Sequence, residues 1–551
     1  IYCLFTEKGI SLCSGRLSYI QPMMFLRRPY GEGIRQVVSE QSAVSEILDL
    51  SDFQIFGDAT NYVCIFTLDC TDGKEEFPVY TPTEEEQKSL DKSTMSSYAL
   101  QNSTLGSDPW DVIPAPVAKI LESTPEDFVT LDVVTKSISE GIHSGKDEVF
   151  FVDSEVISEY GLEDELLNPV LKGRDIEKYL PPSTDLRVIY PYSDNDVIEK
   201  EQLKSKFPNT WEYLKENEEK LRSRQYVLDS GKEWYELWCE RKEEIYQNPK
   251  ILLPEISDGN HFTADTGEVN NYFNTKVKSI RTVEEYNLKA LLGLLNSDLL
   301  EFVYRGIAPP KRGGFRAYKT GFLNEILVPP ESPPELDELV DEVLKRNRQR
   351  AALNLAIMDY IEPYSEGPAL EDLSEYQPPS GVSDSVLSST SEGRDSLRLG
   401  TVSVKESTGK LVIKASARYK PSDEDEFETD QWGYTETELV PALEFVGLDE
   451  KLEALIREFV PHAVEEAGGF ADFRETATKT NTLIDRLEAL TLPDLESCEE
   501  EFDRYMDKRQ YADELDSEIA EKKEEINDIV YNIYELDSKE RDLVEESLGN
   551  D

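Results

Sequence analysis

Apolar residues recur along this chain with a period that changes from segment to segment, and the changes mark its organisation. Helical spacing over Ile1 to Ser14 breaks at Gly15, and Leu17 to Ile20 then reads as a short buried strand stopped by Pro22. Helical spacing resumes over Arg28 to Glu40 through Ile34, Val37 and Val38, and two strands follow, Val44 to Leu50 and Tyr62 to Leu68. Alternation of this kind predicts, for residues 1–80, the second half of an α/β sheet without its first half. Residues 81–110, rich in Thr, Ser, Glu and Gln with few apolar anchors, read as a linker.

Residues 111–330 return to globular composition. Strands are expected at Val149 to Val152, Leu186 to Tyr190 and Ile251 to Leu253, and helices at Thr210 to Arg224, Trp234 to Tyr246 and Glu284 to Tyr304, which makes one sizeable mixed domain. Residues 331–360 predict a helix with a basic centre of Lys345, Arg346, Arg348 and Arg350. The stretch 361–432 reads as a flexible acidic segment holding a β-hairpin, Thr401 to Val404 and Leu411 to Tyr419 about the turn Ser407-Thr408-Gly409. From 433 to 551 the pattern predicts a helical domain. Its last helix carries Tyr511, Leu515, Ile519, Ile526, Ile529, Val530 and Ile533 on one face, which suits packing better than a coiled coil because barely three heptads persist.

Charge changes this picture in one place. The chain of 551 residues has 113 Asp and Glu and a formal net charge of -55, spread over every segment but one. From Phe302 to Asn324 there is no acid at all, while Arg305, Lys311, Arg312, Arg316 and Lys319 supply cations, with Tyr304, Phe315 and Tyr318 interleaved. Cations meet phosphates and rings can stack on bases, so this loop is the candidate polyanion contact. The acidity elsewhere suits a very salty cytoplasm, where the Debye length falls to about 3 Å and surface repulsion is screened.

Other chemistry is sparse. Six cysteines lack C-x-x-C spacing and three histidines are too few for a zinc site or for His-based acid/base work, so no metal is expected. E-x-K elements at Glu86 to Lys88, Glu218 to Lys220, Glu240 to Lys242 and Glu521 to Lys523 are matches that a chain this acidic produces by chance. No apolar run reaches the ~18 residues that span a bilayer, and the reading is of a cytoplasmic protein with no membrane partner. The opening on Ile1 reads as a fragment or processed product.

The segment GRLSYIQPMMFLRRPYGEGIRQVVSE, followed by VSEILDLSDFQIFGDATNYVCIFTL, resembles the second half of the catalytic domain of adenine-N6 DNA methyltransferases. It is similar to the γ-class enzymes of the TaqI type and to fused type IIG restriction-modification enzymes. The resemblance rests on Gly15 to Pro22 as the "G-x-x-x-[YF]-I-x-P" strand, on Arg35 in the helix that follows, and on Phe56 with Ala59 as the "F-x-x-A" turn. Further along, EGIHSGKDEVFFV, PVLKGRDIEKY, YPY at Tyr190 to Tyr192, YLKENEEKLRSR, PKILLPEISDGNHFTAD and LLGLLNSDLLEFVY look like the TaqI-type target-recognition domain, with Ser144 where that family has Thr.

The resemblance implies a partial Rossmann-like methyltransferase sheet, then a mixed α/β target-recognition domain, then a mostly helical C-terminal region. It implies methyl transfer from S-adenosylmethionine to adenine in double-stranded DNA, with restriction or defence-system subunits as possible partners. Extruding a base costs a few kcal/mol and calls for a stacking surface, and Phe56 stands at the family's position for that ring; a core Phe closing a strand is the other reading. Lys172 and Arg174 flank Gly173, which would let backbone approach a phosphate, although Arg174 could instead pair with Asp175. The Gly141 to Gly145 turn with Lys146 behind it could present N–H groups to a phosphate, or be a plain tight turn. No N-P-P-Y or D-P-P-Y occurs in the chain, so no catalytic or cofactor-binding residue is expected in it, and the chain alone is expected to be inactive. Two other functions compete: a specificity subunit that binds DNA without catalysis, and an acidic helical scaffold that would keep DNA binding after loss of residues 335–551.

Overall fold

The computed structural model describes residues 2–26, 29–50, 63–71, 73–81, 92–93, 95–110, 115–193, 196–267, 269–308, 311, 314–373, 375–376, 387, 390, 395–421, 429–430, 433–466 and 482–549. It is a mixed α/β protein in two compact units, residues 1–351 with 515–551, and residues 352–514.

The first unit opens on α1 (Tyr2–Leu12), β1 (Arg16–Pro22), α2 (Glu32–Gln41), β2 (Ala43–Asp49), β3 (Val63–Asp69), β4 (Glu76–Thr81) and β5 (Ser96–Gln101). These strands form one sheet in the order β1-β3-β2-β4-β5. β3 lies antiparallel between β1 and β2, which therefore run parallel to each other, and β4 joins β2 in parallel. The expected helices and strands of residues 1–80 are present. The expected linker of residues 81–110 is different: β5 pairs with β4 along its whole length, and Trp110 is buried beside Phe66, 6.2 Å between ring centroids. The anchors are few but placed on the sheet. Trp110 N–H donates to Leu26 O at 2.8 Å, and the buried Arg35 donates from Nη1 to Phe25 O at 2.6 Å and from Nε to Ser107 O at 2.9 Å. Burial lowers the Arg35 pKa, against the attraction of Glu32 and Asp108.

Of the five further sheets described within residues 129–330, three position the site. The strand Lys250–Pro254 is flanked by Thr263–Asp265 and Val277–Thr282, with Thr135–Glu140 beyond. A second sheet orders Tyr272–Phe273, Leu167–Leu171, Arg187–Ile189 and Phe151–Val152, and its first pair is parallel. A short antiparallel ribbon pairs Ile256–Ser257 with Arg316–Ala317. The expected helix over Trp234 to Tyr246 is reduced to Glu244–Gln247. Along this stretch the buried Arg224 guanidinium donates to Trp234 O at 2.6 Å and Glu236 O at 3.0 Å, which holds the backbone in a non-helical path. The helix expected over Glu284 to Tyr304 starts only after the N-cap Asn287 and is broken in two, Leu288–Leu295 and Asp298–Ile307, at the N-cap Ser297.

Residues 515–551 belong to this same unit. Ile519, Ile526, Val530, Tyr531, Tyr534, Leu536 and Val544 join one core with Leu291, Leu295, Leu299, Leu336, Val340 and Val343. The helix Leu495–Ile533 thus packs through Ile519, Ile526 and Val530 as its apolar face predicts, while Tyr511, expected on the same face, is 41% exposed. The helix Pro334–Ala351 also packs into this core and stops at Ala351, short of the expected Tyr360.

The second unit corrects the expected mostly helical C-terminal region. Its centre is a long hairpin, Asp395–Ser407 and Lys410–Lys420, turning at Thr408 and Gly409, whose positive φ of 52° and 75° fit a two-residue hairpin turn. The strand Val440–Phe445 adds to this hairpin with Leu443 opposite Ile413 and Phe445 opposite Leu411. Alternate residues 443 and 445 are apolar and Pro441 cannot donate within a helix, so period two wins there. The helices Glu450–Glu466 and Leu483–Glu488 cover the sheet through Leu455, Ile456, Phe459 and Leu487.

Candidate nucleic-acid interface

Two cationic segments that lie more than a hundred residues apart in sequence meet on one surface of the first unit. Leu167–Leu171 runs parallel to Tyr272–Phe273, and Asn274 N–H donates to Leu171 O at 3.1 Å, so the turn Gly173–Asp175 lands beside Lys276. A Cβ on Gly173 would sit 3.1 Å from Lys276 O, so the glycine allows a close approach to protein backbone. Lys276 O in turn accepts from Glu255 N–H at 2.7 Å, and Glu255 O accepts from Tyr318 N–H at 2.9 Å. The ribbon then places Ser257 opposite Arg316 and Ile256 opposite Ala317. Arg174, Lys276 and the 314–319 segment are therefore consecutive along a strip.

The cations of the strip differ in how firmly they are held. Arg174 is 78% exposed with Nε 3.7 Å from Asp175 Oδ1, and Lys276 is 65% exposed with Nζ 2.9 Å from Glu255 Oε2. Lys319 is exposed, and Lys172 Nζ sits 5.7 Å from the Phe151 ring centroid. Arg305 Nη2 donates to Glu301 Oε1 at 2.9 Å and to Asp258 O at 3.1 Å, while Arg316 Nη1 donates to Gly314 O at 3.1 Å. Lys311 N–H closes the loop on Phe315 O at 2.7 Å. Exposed ion pairs contribute on the order of 0–1 kcal/mol, so at Arg174 and Lys276 a phosphate can replace the carboxylate partner at small cost.

The rings of the acid-free stretch divide. Tyr304 and Tyr318 are each only 1% exposed, stacked on one another, with hydroxyls donating to Ala317 O at 2.9 Å and Asn260 Oδ1 at 2.7 Å. Burial raises both phenol pKa values. They are core residues and cannot stack on bases. Phe315, at 42% exposure, can.

The Gly141 to Gly145 turn has the amides of Ile142 and His143 committed. Ile142 N–H donates to Phe273 O at 2.7 Å, His143 N–H to Cys239 O at 3.0 Å and Lys146 N–H to Ser144 Oγ at 3.1 Å, while Arg224 Nη1 donates to Ser144 O at 2.7 Å. A Cβ on Gly141 would lie 1.9 Å from Phe273 O, which accounts for that glycine by close packing. Lys146 Nζ sits 3.8 Å from Glu148 Oε1. Phe56 and Arg312 lie outside the described residues. Sequence reasoning missed Lys276 and the ribbon partner Ile256-Ser257, because nothing in linear spacing joins residue 173 to 276 or residue 256 to 317.

Residues 168–328 match the TaqI-like C-terminal specificity domain, and residues 1–56 match the Eco57I restriction-modification methylase. Both matched descriptions belong to restriction-modification proteins. The resemblance read from the sequence is thereby borne out, and the strip from Lys172 to Lys319 lies wholly within the matched specificity domain. Among relatives, the type II methyltransferase M.BstVI of Geobacillus stearothermophilus is 23% identical over 367 residues, 62% of this chain and 64% of that protein. The type II restriction enzyme and methyltransferase RM.Eco57I of Escherichia coli is 25% identical over 376 residues, 60% of this chain and 36% of that protein. The chain thus spans less than two thirds of the relatives it matches. Among solved structures, the type IIL restriction-modification enzyme MmeI in complex with DNA aligns at 11% identity with a TM-score of 0.37, over 66% of this chain and 44% of that one. Among the described residues no helix is long and apolar enough to cross a membrane.

Proposed function

We propose that this chain is part of a site-specific adenine-N6 DNA methyltransferase of the restriction-modification or phage-defence type, acting on double-stranded DNA with S-adenosylmethionine as methyl donor. In this reading β1, β2 and β3 are the second half of a Rossmann-like catalytic sheet, and residues 111–330 read the DNA sequence. The observation that carries it is the strip that joins Arg174, Lys276 and Lys319 inside the matched specificity domain. Lys172, Arg174, Arg305, Lys311, Arg312, Arg316 and Lys319 contact the duplex, Lys146 lies at its margin, and Phe56 packs against the extruded adenine.

At the start of α2 a Cβ on Gly31 would lie 1.9 Å from Phe25 O and 2.7 Å from Arg35 Nη1, so close packing accounts for that glycine, while Gly33 faces open space. No step of methyl transfer is assigned to these residues. Joining the chain to an upstream segment that contains N-P-P-[YF] and measuring transfer of tritiated methyl groups tests the proposal. Incorporation at adenine N6 supports it; no transfer to any duplex, with DNA binding intact, would leave a non-catalytic specificity subunit instead.

A further inference from the structure

The surface carries two large apolar side chains where a polyanion-binding strip would be expected to be wholly polar. Ile256 is 38% exposed in the strand Ile256–Ser257, and Phe315, 42% exposed, immediately precedes the partner strand Arg316–Ala317. Ile256 is paired directly with Ala317, and Phe315 precedes Ala317 by two residues. Phe315 therefore stands at the end of the ribbon, one residue beyond the rung of Ser257 and Arg316 that adjoins Ile256. Neither belongs to the hydrophobic core that holds Tyr304 and Tyr318.

The flanks of this pair are built for phosphates. Lys276 and Arg174 lie on the side of Glu255, and Lys311 and Lys319 bracket Phe315 in sequence. Arg305 and Arg316 hold the ribbon to the preceding helix, with Arg316 Nε 3.4 Å from Arg305 O. Asp258, beside Ile256, is 64% exposed at its side chain and its carbonyl is held by Arg305. A two-stranded ribbon is narrow enough for the ~12 Å major groove, and there the one apolar feature of a base pair is the thymine 5-methyl group.

Resting on the reading of this domain as a DNA specificity domain, we propose that the ribbon enters the major groove and that Ile256 and Phe315 read thymine by its 5-methyl group. The cations on either side hold the two phosphate backbones while the apolar pair selects the base. Burying one methyl contributes about 0.8 kcal/mol, roughly a fourfold preference for thymine over a base that lacks it.

The test is selection of bound duplexes from a random DNA library by the full chain, with Ile256→Ala and Phe315→Ala alongside, followed by affinity for the selected site with thymine replaced by uracil. The proposal expects a defined motif containing thymine, about fourfold weaker binding when the critical thymine becomes uracil, and loss of that discrimination in at least one variant with phosphate-driven affinity retained. A defined motif that both variants and the uracil duplex leave unchanged overturns the proposal while keeping the DNA-binding reading. Absence of any enrichment by the unaltered chain overturns the DNA-binding reading itself. Unfolding curves on both exposed-site variants separate lost readout from lost folding.

Discussion

Tyr304 and Tyr318 lie face to face, their ring centroids 4.6 Å apart and their planes within 8°. Both come from the acid-free stretch, yet they are its interior support, while Phe315 between them in sequence stays at the surface. Tyr304→Ala is expected to lower stability by about 3–5 kcal/mol in denaturant unfolding, the range for a buried aromatic, whereas Phe315→Ala should stay within about 0.5 kcal/mol. Equal effects from the two substitutions would contradict this division.

Arg224 is a buried cation with four carbonyl acceptors, Ser144 O at 2.7 Å, Trp234 O at 2.6 Å, Glu236 O at 3.0 Å and Leu221 O at 3.0 Å. Burial lowers its pKa without removing its charge. Arg224→Lys keeps the charge but cannot span these acceptors, so it should destabilise by about 2–4 kcal/mol and open the 141–146 turn to hydrogen exchange. Protection of the Ile142 and His143 amides that survives the substitution would show that the turn does not depend on Arg224.

Lys250 and Asp265 are a fully buried ion pair, Nζ to Oδ2 2.8 Å. Burial pulls the Lys250 pKa down, and the attraction of Asp265 only partly restores it. Lys250→Met strands the carboxylate and should cost about 3–5 kcal/mol, while adding Asp265→Leu should recover most of the loss. Thermal unfolding of the single and double variants reads this directly; an additive double variant would refute the coupling.

Glu163 caps the helix Pro208–Glu216, accepting from Asn209 N–H and Thr210 N–H at 2.9 Å each and from Thr210 Oγ1 at 2.6 Å. Burial pushes its pKa up, and the bonds from Thr210 and Asn209 outweigh burial and hold it below the ordinary glutamate range. A depressed folded-state pKa gives stability that is present above the unfolded value and is lost as pH falls through the folded one. Glu163→Gln should therefore flatten the acid limb of the stability profile and change its slope little above neutrality. An unchanged acid limb would contradict the assignment.

Much of this architecture was legible in the chain. The strands β1 to β3 show in the spacing between Gly15, Pro22 and the apolar runs, and the hairpin shows in Ser407-Thr408-Gly409. The strip was half legible: its cations stand out from residues 302–324 because acids are missing there, but Lys276 joins it only through a parallel strand pair. Over Trp234 to Tyr246, where a helix is expected, the Arg224 guanidinium holds the backbone in a non-helical path that apolar spacing does not reveal. Residues 515–533 declared an apolar face, but not that Leu299 and Val340 were its partners.

That partnership bears on the scaffold reading. Truncation after Glu514 removes Ile519, Ile526, Val530, Tyr534 and Val544 from the core of the first unit. The truncated chain should lose cooperative unfolding and DNA binding together, since the helix Asp298–Ile307 also loses Asn527, which bonds Asp298 at 2.7 Å. A truncated chain that still binds duplex DNA with full affinity would place these residues outside the specificity domain's folding unit.

The central claim is that the strip through Arg174, Lys276 and Lys319 lies on duplex DNA. Its most direct test is the salt dependence of duplex binding by the full chain and by Arg174→Ala, Lys276→Ala and Lys319→Ala. The account predicts weaker binding that is uniform across sequences, with the slope of log K against log salt shallower by about 1 for each phosphate contact removed. Affinity and slope identical to the unaltered chain in all three variants, singly and combined, would contradict it.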